Sequence, residues 1–430
     1  MNSTPFEQRR NLESLPADQL AAYQLKRLNQ LLEETLPQNH FYSEKYGDTR
    51  LEFESLEQLT QLPYTYKDEL VQRVGHDMAA NLTYPLERYV RYHQTSGTRG
   101  RPMVVLDTAA DWQWWLDTWQ FVLDAAEIEP IDRVLLAFSF GPFIGFWSAH
   151  DAAAARGCLV VPSGGLSTLN RLALMKTAQT TAVFCTPSYA LHMSEVATEN
   201  NFDIRALPIR RLVVAGEPGG SIPALRQRIE TAWDAQVIDH SGASEIGPWG
   251  YADVERRGLH IVESEFIAEF LSLETGQPAG EGELSELVLT SLGRYGSPVI
   301  RYRTGDLVKP TWNTVGENGF VLLEGGVLGR ADDMMIIRGV NIFPSSVEQI
   351  LHSFPEIVEY RLTAHKKGEM DALTIAIEDR LNQPERVEKE LQIRLGLRVK
   401  VETVPSGELP RFSGKGKRFI DNRGASNDSQ

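Results

Sequence analysis

The stretch TSGTRGRP at 95–102 combines three hydroxyls, two glycines and two arginines, with no large apolar side chain. Gly97 and Gly100 let backbone N–H groups converge on one anion. Thr95, Ser96 and Thr98 add hydroxyl donors, and Arg99 or Arg101 can add charge-assisted bonds. This is the chemistry of a phosphate cradle. It is not the Walker pattern, which needs a longer spacing followed by Lys and Ser or Thr. Read alone, the stretch suits an exposed connection equally well.

Four more polar stretches follow in order: HSGASEIGPWG at 240–250, RYRTGDL at 301–307, GRADDMMIIRGVNIFPSSVE at 329–348 and SGKGKR at 413–418. Each has a plain structural reading when taken singly. Glu245 suits a surface or helix-capping carboxylate, Asp306 a turn residue after Gly305, and Arg330 an ion pair between domains. Asp332 suits an ordinary acidic turn, and Lys415 with Lys417 a solvated basic cluster.

Taken together, their order and spacing resemble the adenylate-forming superfamily of acyl-CoA synthetases, luciferases and carrier-protein-loading adenylation domains. TPSY at 186–189, GEP at 216–218, SEIGP at 244–248, PVIRYRTGDL at 298–307 and DDMMIIRGVNIFPSSVE at 332–348 make the chain most similar to the phenylacetate-CoA ligase family, from about residue 90 to 420. In such enzymes a carboxylate attacks the α-phosphate of ATP and pyrophosphate leaves. A thiol then displaces AMP from the acyl adenylate, and charge must be neutralised at each step.

The resemblance implies a role for each matching residue. Thr95, Ser96, Gly97, Thr98, Arg99 and Gly100 would hold the β- and γ-phosphates. Glu245 would be the carboxylate ligand of Mg²⁺. Asp306 would accept both ribose hydroxyls, with Arg330 beside the ribose and phosphate. Gly216, Glu217, Pro218, Asp239, Ser241, Gly242 and Ser244 would complete the nucleotide pocket. Asp332 would be the hinge, and Gly339 would present backbone to the pantetheine arm. Lys415 would reach the α-phosphate; it is preferred to Lys417 because it directly follows Gly414. Phe140, Phe143 and Trp147, facing Ala215, Gly216, Gly242, Ile246 and Pro248, would wall a flat slot suited to an aromatic acid. Core packing accounts for the same aromatics. His150 corresponds to a family histidine or to a hydrogen-bonded interior residue.

Two departures stand out. Ser241 occupies a position where the family usually carries an aromatic platform for adenine, so stacking worth ~1–3 kcal/mol in nucleic-acid settings is lost there. Arg101 and Met103 stand where lysines are frequent; Arg101 keeps the charge and Met103 does not.

Elements must bring these distant stretches together. The first ninety or so residues are polar and partly helical, with Leu25, Leu28 and Leu32 spaced along one helical face. RVLLAFSF at 133–140, GCLVVP at 157–162, TAVFCTP at 181–187 and RRLVVAGEPG at 210–219 are short apolar runs separated by helix-length segments. Such runs predict a parallel sheet with ligands beyond the strands' carboxyl ends. GELSELVLTSL and SPVIRYRTGDLV, joined by GRYG, predict a smaller β-rich layer. The expected fold is therefore α/β: a large N-terminal adenylation domain over 1–330, with parallel sheets flanked by helices, and a small mobile α+β C-terminal domain over 331–430. The small domain should run strand, helix, strand, strand, helix, followed by a disordered tail after Arg423.

At 430 residues with 42% hydrophobic content, the chain has material for more than one domain. Lys plus Arg number 43 against 58 Asp plus Glu, a net charge of −15, which argues against general affinity for nucleic acid or anionic membranes. No secretory signal is readable at the start. The longest stretch without charge or His, 134–149, is broken by Gly141-Pro142 and falls short of the ~18 residues a membrane span needs. Cys158 and Cys185 lie in apolar runs, so buried thiols and a cytoplasmic location are expected. Trp112, Trp115 and Trp119 share a helical face suited to packing. No Cys/His spacing matches a zinc site.

The expectation is an ATP- and Mg²⁺-dependent ligase joining an aromatic carboxylic acid to coenzyme A, compatible with a homodimer. The rivals are an enzyme loading a carrier-protein pantetheine thiol or an amine, and a binding protein without turnover.

Overall fold

The computed structural model describes residues 5–47, 51–72, 78–95, 102–138, 140–312, 318–333, 335–337, 340–367, 370–395, 397–410 and 418–423. Helices α1 (Phe6–Glu13) and α2 (Ala17–Thr35) are each preceded by a proline, whose fixed φ and missing N–H suit a helix start. Leu28 and Leu32 are buried on α2, with Leu25 packed beside them. Arg9 on α1 pairs with the buried Asp124 at 2.6 Å, pinning the N-terminal segment to the main core. Helices α3 (His40–Tyr46) and α4 (Lys67–Val71) flank a connection that bridges in parallel from Thr65 to Tyr302.

Strands β1 (Tyr89–Gln94) and β2 (Val104–Thr108) pair antiparallel on either side, in sequence, of the glycine-rich stretch. Thr108 caps helix α5 (Ala109–Ala125) by accepting from Asp111 N, one of the donors a helix start leaves unpaired. The four tryptophans of α5 pack in the core, and three direct their N–H groups to partners: Trp112 to Asp151, Trp114 to Glu265 and Trp119 to Ser148. The packing reading of that segment holds.

Strands and helices then alternate: β3 (Arg133–Leu136), α6 (Ile144–Arg156), β4 (Leu159–Pro162), α7 (Thr168–Thr177), β5 (Ala182–Cys185), α8 (Pro187–Glu199), β6 (Arg211–Val214), α9 (Pro223–Trp233) and β7 (Gln236–Ala243). The five strands pair in parallel in the order β4-β3-β5-β6-β7, as crossover helices require. The same sheet continues antiparallel through β8 (Gly247–Ala252) and β9 (Gly258–Ile261), so it is mixed where an all-parallel sheet was expected. The reason is local: a three-residue turn after β7 leaves no room for a crossover.

Strands β10 (Phe266–Ser272), β11 (Ser285–Ser291) and β12 (Tyr302–Val308) form the expected antiparallel layer. After β13 (Pro310–Thr311) and β14 (Leu322–Glu324), which extend the large sheet beyond β9, β15 (Gly329–Arg330) completes that layer. Cys158 and Cys185 are free thiols, both buried.

Beyond residue 331 the chain builds a core of its own, from Met335 to Val401, with Phe419 against it. Strands β16 (Met335–Ile337) and β17 (Val340–Ile342) precede helix α10 (Pro344–His352). Next come the long hairpin β18 (Ile357–Lys367) and β19 (Met370–Asp379), helix α11 (Pro384–Leu395), β20 (Lys400–Thr403) and β21 (Phe419–Asp421). The strands β17, β20 and β21 exceed the expected pattern. Each is only three or four residues long, too short to show a period, and β20 and β21 are held in parallel on the outer edges of the hairpin. The tail after Arg423 lies outside the described residues. Among the described residues no helix is long and apolar enough to cross a membrane.

Candidate active site

Glu245 occupies the tight turn between β7 and β8, where Ala243 pairs with Gly247. Gly247 has φ +129°, and a Cβ there would lie 2.8 Å from the Trp114 ring, so the turn admits no other residue without rearrangement. The Glu245 side chain is buried, and its Oε1 lies 2.5 Å from Lys67 Nζ. Burial alone would raise this carboxyl, but Lys67 and then Arg330 outweigh it and hold the group below its ordinary range. Glu245 is thus an anion with hard oxygens at neutral pH.

Lys67 was missed in the sequence because YTYKDEL offers only the start of a short helix. Its placement comes from Thr65. Thr65 N donates to Arg301 O at 2.8 Å, Arg303 N donates to Thr65 O at 3.0 Å, and Thr65 Oγ1 donates to Ile300 O at 2.6 Å. This fixes the segment along β12, and Lys67 begins α4 two residues later.

On β12, Asp306 is opposite Arg330 of β15, and Arg330 Nη1 donates to Asp306 Oδ1 at 2.8 Å. Gly305, at φ +74°, supplies the left-handed bend before Asp306. Asp306 is mostly buried, and the Arg330 side chain is 40% exposed. Tyr302 lies buried on the same strand, within the field of Glu245 and Arg330.

Asp239, the last β7 residue in the parallel pairing, accepts from Ser221 Oγ at 2.5 Å and from His240 N at 3.1 Å. Burial lifts its carboxyl to about 6. Ser241 and Gly242 follow on β7. A Cβ on Gly242 would lie 3.0 Å from Gly247 O, so the backbone here is tightly seated. Ser244 O accepts from Arg294 Nη1 at 3.3 Å. After β6, Gly216 has φ +92° and Pro218 is exposed. Glu217 Oε1 accepts Ser188 N at 2.7 Å, capping α8, whose TPSY start also has Thr186 accepting from Tyr189 N. The expected nucleotide residues thus occupy the carboxyl ends of β6 and β7 and the neighbouring β12.

A cavity of about 620 Å³ opens at the carboxyl ends of β3 and β4, lined by Phe140, Trp147, His150, Pro162, Gly164 and Gly165. Phe140 meets Trp147 edge-on at 5.0 Å and His150 at 5.9 Å. Trp147 Nε1 donates to Gly141 O at 2.9 Å, fixing the indole. A Cβ on Gly164 would lie 2.9 Å from the Phe140 ring, so glycine leaves room for that ring. Of the expected acid-pocket residues, Phe140 and Trp147 line this cavity. Phe143 packs against Phe146 at 6.0 Å. Ile246 belongs to the main core, Pro248 is buried on β8, and Ala215 is half-buried after β6. His150 joins the cavity wall, and Asp151 Oδ1 lies 2.9 Å from its Nδ1.

Thr95 closes the base of the glycine-rich stretch: its N donates to Met103 O at 2.9 Å, and Met103 N donates to its Oγ1 at 3.0 Å. Ser96, Gly97, Thr98, Arg99, Gly100, Gly339 and Lys415 lie outside the described residues. Asp332 falls in a single 3₁₀ turn (Ala331–Asp333) between β15 and β16.

Residues 339–423 match the family described as AMP-binding enzyme C-terminal domain. The phenylacetate-coenzyme A ligase of Thermus thermophilus is 30% identical over 445 residues, covering 96% of this chain and 98% of that protein. The solved structure of 2-hydroxyisobutyryl-CoA ligase in its postadenylation state, with R3-HIB-AMP bound, superposes with a TM-score of 0.91 at 26% identity, over 98% of this chain and 94% of that one. The same ligase in its thioesterification state, with 2-HIB-AMP and CoA, reaches only 0.73 at 27% identity with the same coverage of both chains. The similarity to the Thermus enzyme covers nearly the whole of both chains at 30% identity, and on that ground the chain belongs to the phenylacetate-coenzyme A ligase family of adenylate-forming enzymes.

Proposed function

We propose that the acid activated by this AMP-forming acid–thiol ligase is an aromatic monocarboxylate, and that the groups gathered around Glu245 carry out its adenylation. The protein uses ATP, Mg²⁺ and coenzyme A, as its family does. The observation that carries the reading is the Lys67–Glu245 pair lying within the field of Arg330, which is itself paired with Asp306, four residues from four elements of the chain. An ionised carboxylate between two cations suits a site where a metal–triphosphate complex enters and leaves.

Glu245 fits Mg²⁺ because it is a hard oxygen donor kept ionised. When bound, the ion would neutralise charge on the triphosphate. Asp306 would accept the ribose hydroxyls while Arg330 orients its carboxylate from the opposite strand. Lys67 is half-exposed, so its ammonium can turn from the carboxylate toward the phosphates. The glycine-rich stretch would hold the β- and γ-phosphates, and Lys415 would stabilise charge at the α-phosphorus. Phe140 and Trp147 support the aromatic acid: they offer flat apolar faces, with His150 as a polar neighbour.

The separate core beyond residue 331 supports a domain boundary after Arg330, with Asp332 as the hinge. Helix α10 packs on α9, and Arg228 of α9 donates to Ile357 O at 3.4 Å. For thiol transfer the small domain would swing about the hinge and bring Gly339 toward the pantetheine.

Pyrophosphate release measured over benzoate, hydroxybenzoates, anthranilate, phenylacetate and short fatty acids, followed by product analysis with CoA and with holo-carrier proteins, tests the reading. The expected result is release with aromatic acids and an aryl-CoA product. Preference for short fatty acids, or product only on a carrier protein, would replace it. Lys415→Ala should abolish release while leaving binding of the acid largely intact.

A further inference from the structure

Arg294 lies in the turn between β11 and β12 and is 1% exposed, with its charge balanced by Asp107 of β2, which is fully buried. Arg294 Nε donates to Asp107 Oδ1 at 2.7 Å, while Nη1 donates to Glu245 O at 2.8 Å and Ser244 O at 3.3 Å. One planar side chain therefore spans from strand β2 to the backbone of the turn that presents Glu245. The guanidinium also lies over the Trp115 ring, 5.6 Å from its centroid.

The turn that holds Arg294 is seated without slack. A Cβ on Gly293 would fall 2.2 Å from the Trp114 ring, and one on Gly296 would fall 2.3 Å from Asp111 Oδ2. Gly296 N donates to Asp111 Oδ1 at 3.1 Å, and Ser297 Oγ donates to Leu106 O at 2.6 Å. Yet the ion pair itself is incompletely satisfied: Asp107 Oδ2 and Arg294 Nη2 are buried with no hydrogen-bond partner among the described residues. A buried pair in that condition is a poor stabiliser, because desolvation offsets much of its attraction. What it does provide is a fixed distance between β2 and the Glu245 peptide.

We propose that Arg294, with Asp107, is a positioning residue that fixes the Glu245 turn against strand β2, so that Glu245 is held where a metal–triphosphate complex requires it. The inference rests on Glu245 being the metal-side carboxylate. Arg294 touches neither the nucleotide nor the acid in this scheme; it acts through the Glu245 backbone. Its loss should therefore raise the Mg²⁺ requirement and lower kcat, while the KM for the acid stays unchanged.

Two variants separate positioning from folding. Arg294→Lys keeps a cation beside Asp107 but cannot reach Asp107 and the Glu245 carbonyl at once. Arg294→Met combined with Asp107→Leu replaces the pair by apolar side chains, a change often neutral or stabilising for a buried ion pair. Thermal midpoints, pyrophosphate release against Mg²⁺ concentration and the KM for the acid are measured for both. The expected result is a near-wild-type midpoint and acid KM, with the apparent Mg²⁺ requirement raised about 10–100-fold, the range seen when groups behind a metal ligand are lost. A wild-type Mg²⁺ response in either folded variant overturns the proposal, and so does failure of both to fold, which would make the pair purely structural. Glu245→Gln is measured in parallel. If it keeps the wild-type Mg²⁺ response, the reading of Glu245 fails and takes this inference with it; if it loses that response while the Arg294 variants do not, only the inference fails.

Discussion

The surroundings of Glu245 and the aromatic cavity are built in opposite ways. Around Glu245, Lys67 of α4 and Arg294 of the β11–β12 turn approach at hydrogen-bond distances, and Arg330 of β15, itself paired with Asp306 of β12, acts on it through its charge. The cavity takes its rings from one continuous segment, the end of β3 and the first turns of α6, and they touch edge-on. A site whose carboxylates are buried against cations tolerates little change, since removing a cation leaves a buried carboxylate uncompensated. A wall of rings from one continuous segment can change size while the sheet behind it stays put. The first should govern turnover, the second the choice of acid.

Breaking the charged side should have the largest effect. Glu245→Gln removes the anion but keeps the shape, and kcat for pyrophosphate release should fall by about 10²–10³, the order seen when a single electrostatic contact in the transition state is lost. The KM for the acid should barely move. If both parameters shift together, the two regions are coupled and the contrast fails.

Lys67→Met sharpens the same point through pH. With Lys67 gone, burial dominates and the Glu245 carboxyl rises. The acid limb of the rate profile should then move to higher pH, and activity near neutrality should recover partly as pH is raised. A profile that only drops, without shifting, would mean that Lys67 does not control this carboxylate.

On the cavity side, Trp147→Ala removes an indole fixed by Gly141. The KM for the aromatic acid should rise by about tenfold, consistent with roughly 1–3 kcal/mol for losing a large apolar contact, while the KM for ATP stays constant. Tolerance for bulkier acids should widen. Steady-state kinetics over a series of acids would reveal either outcome.

The smallest effect concerns stability and lies away from both regions. Glu263 accepts from Val321 N at 2.6 Å, and burial raises its carboxyl to about 7. Its ordinary value is 4.5, so between these two pH values the native state keeps a proton that the unfolded chain has lost. Stability therefore falls as pH rises through that window. Glu263→Gln abolishes the fall: it should match the wild type near pH 4 and be more stable by about 1–2 kcal/mol at pH 8, read from thermal midpoints at the two pH values.

Much of the architecture was legible because it rests on local rules. The apolar runs at 133–140 and 181–187 hold the parallel strands that end at Leu136 and Cys185. The departures also have local causes. The sheet turns antiparallel after Ala243 because the Glu245 turn is too short for a crossover, and β20 and β21 owe their existence to the edges of a hairpin far away in sequence.

The same division holds in the site. Glu245, Asp306 and Arg330 lie in motifs whose order and spacing resemble those of a known family, so the sequence could nominate them through that resemblance. Lys67, Arg294 and Asp151 lie in stretches with no such signature; each matters because of what folding brings against it. Chemistry is a property of side chains and can be read in one dimension. Coulombic pairing depends on distance, and the separation between residues 67 and 245, or 107 and 294, is decided only when Thr65 settles along β12 and the β11–β12 turn closes on β2.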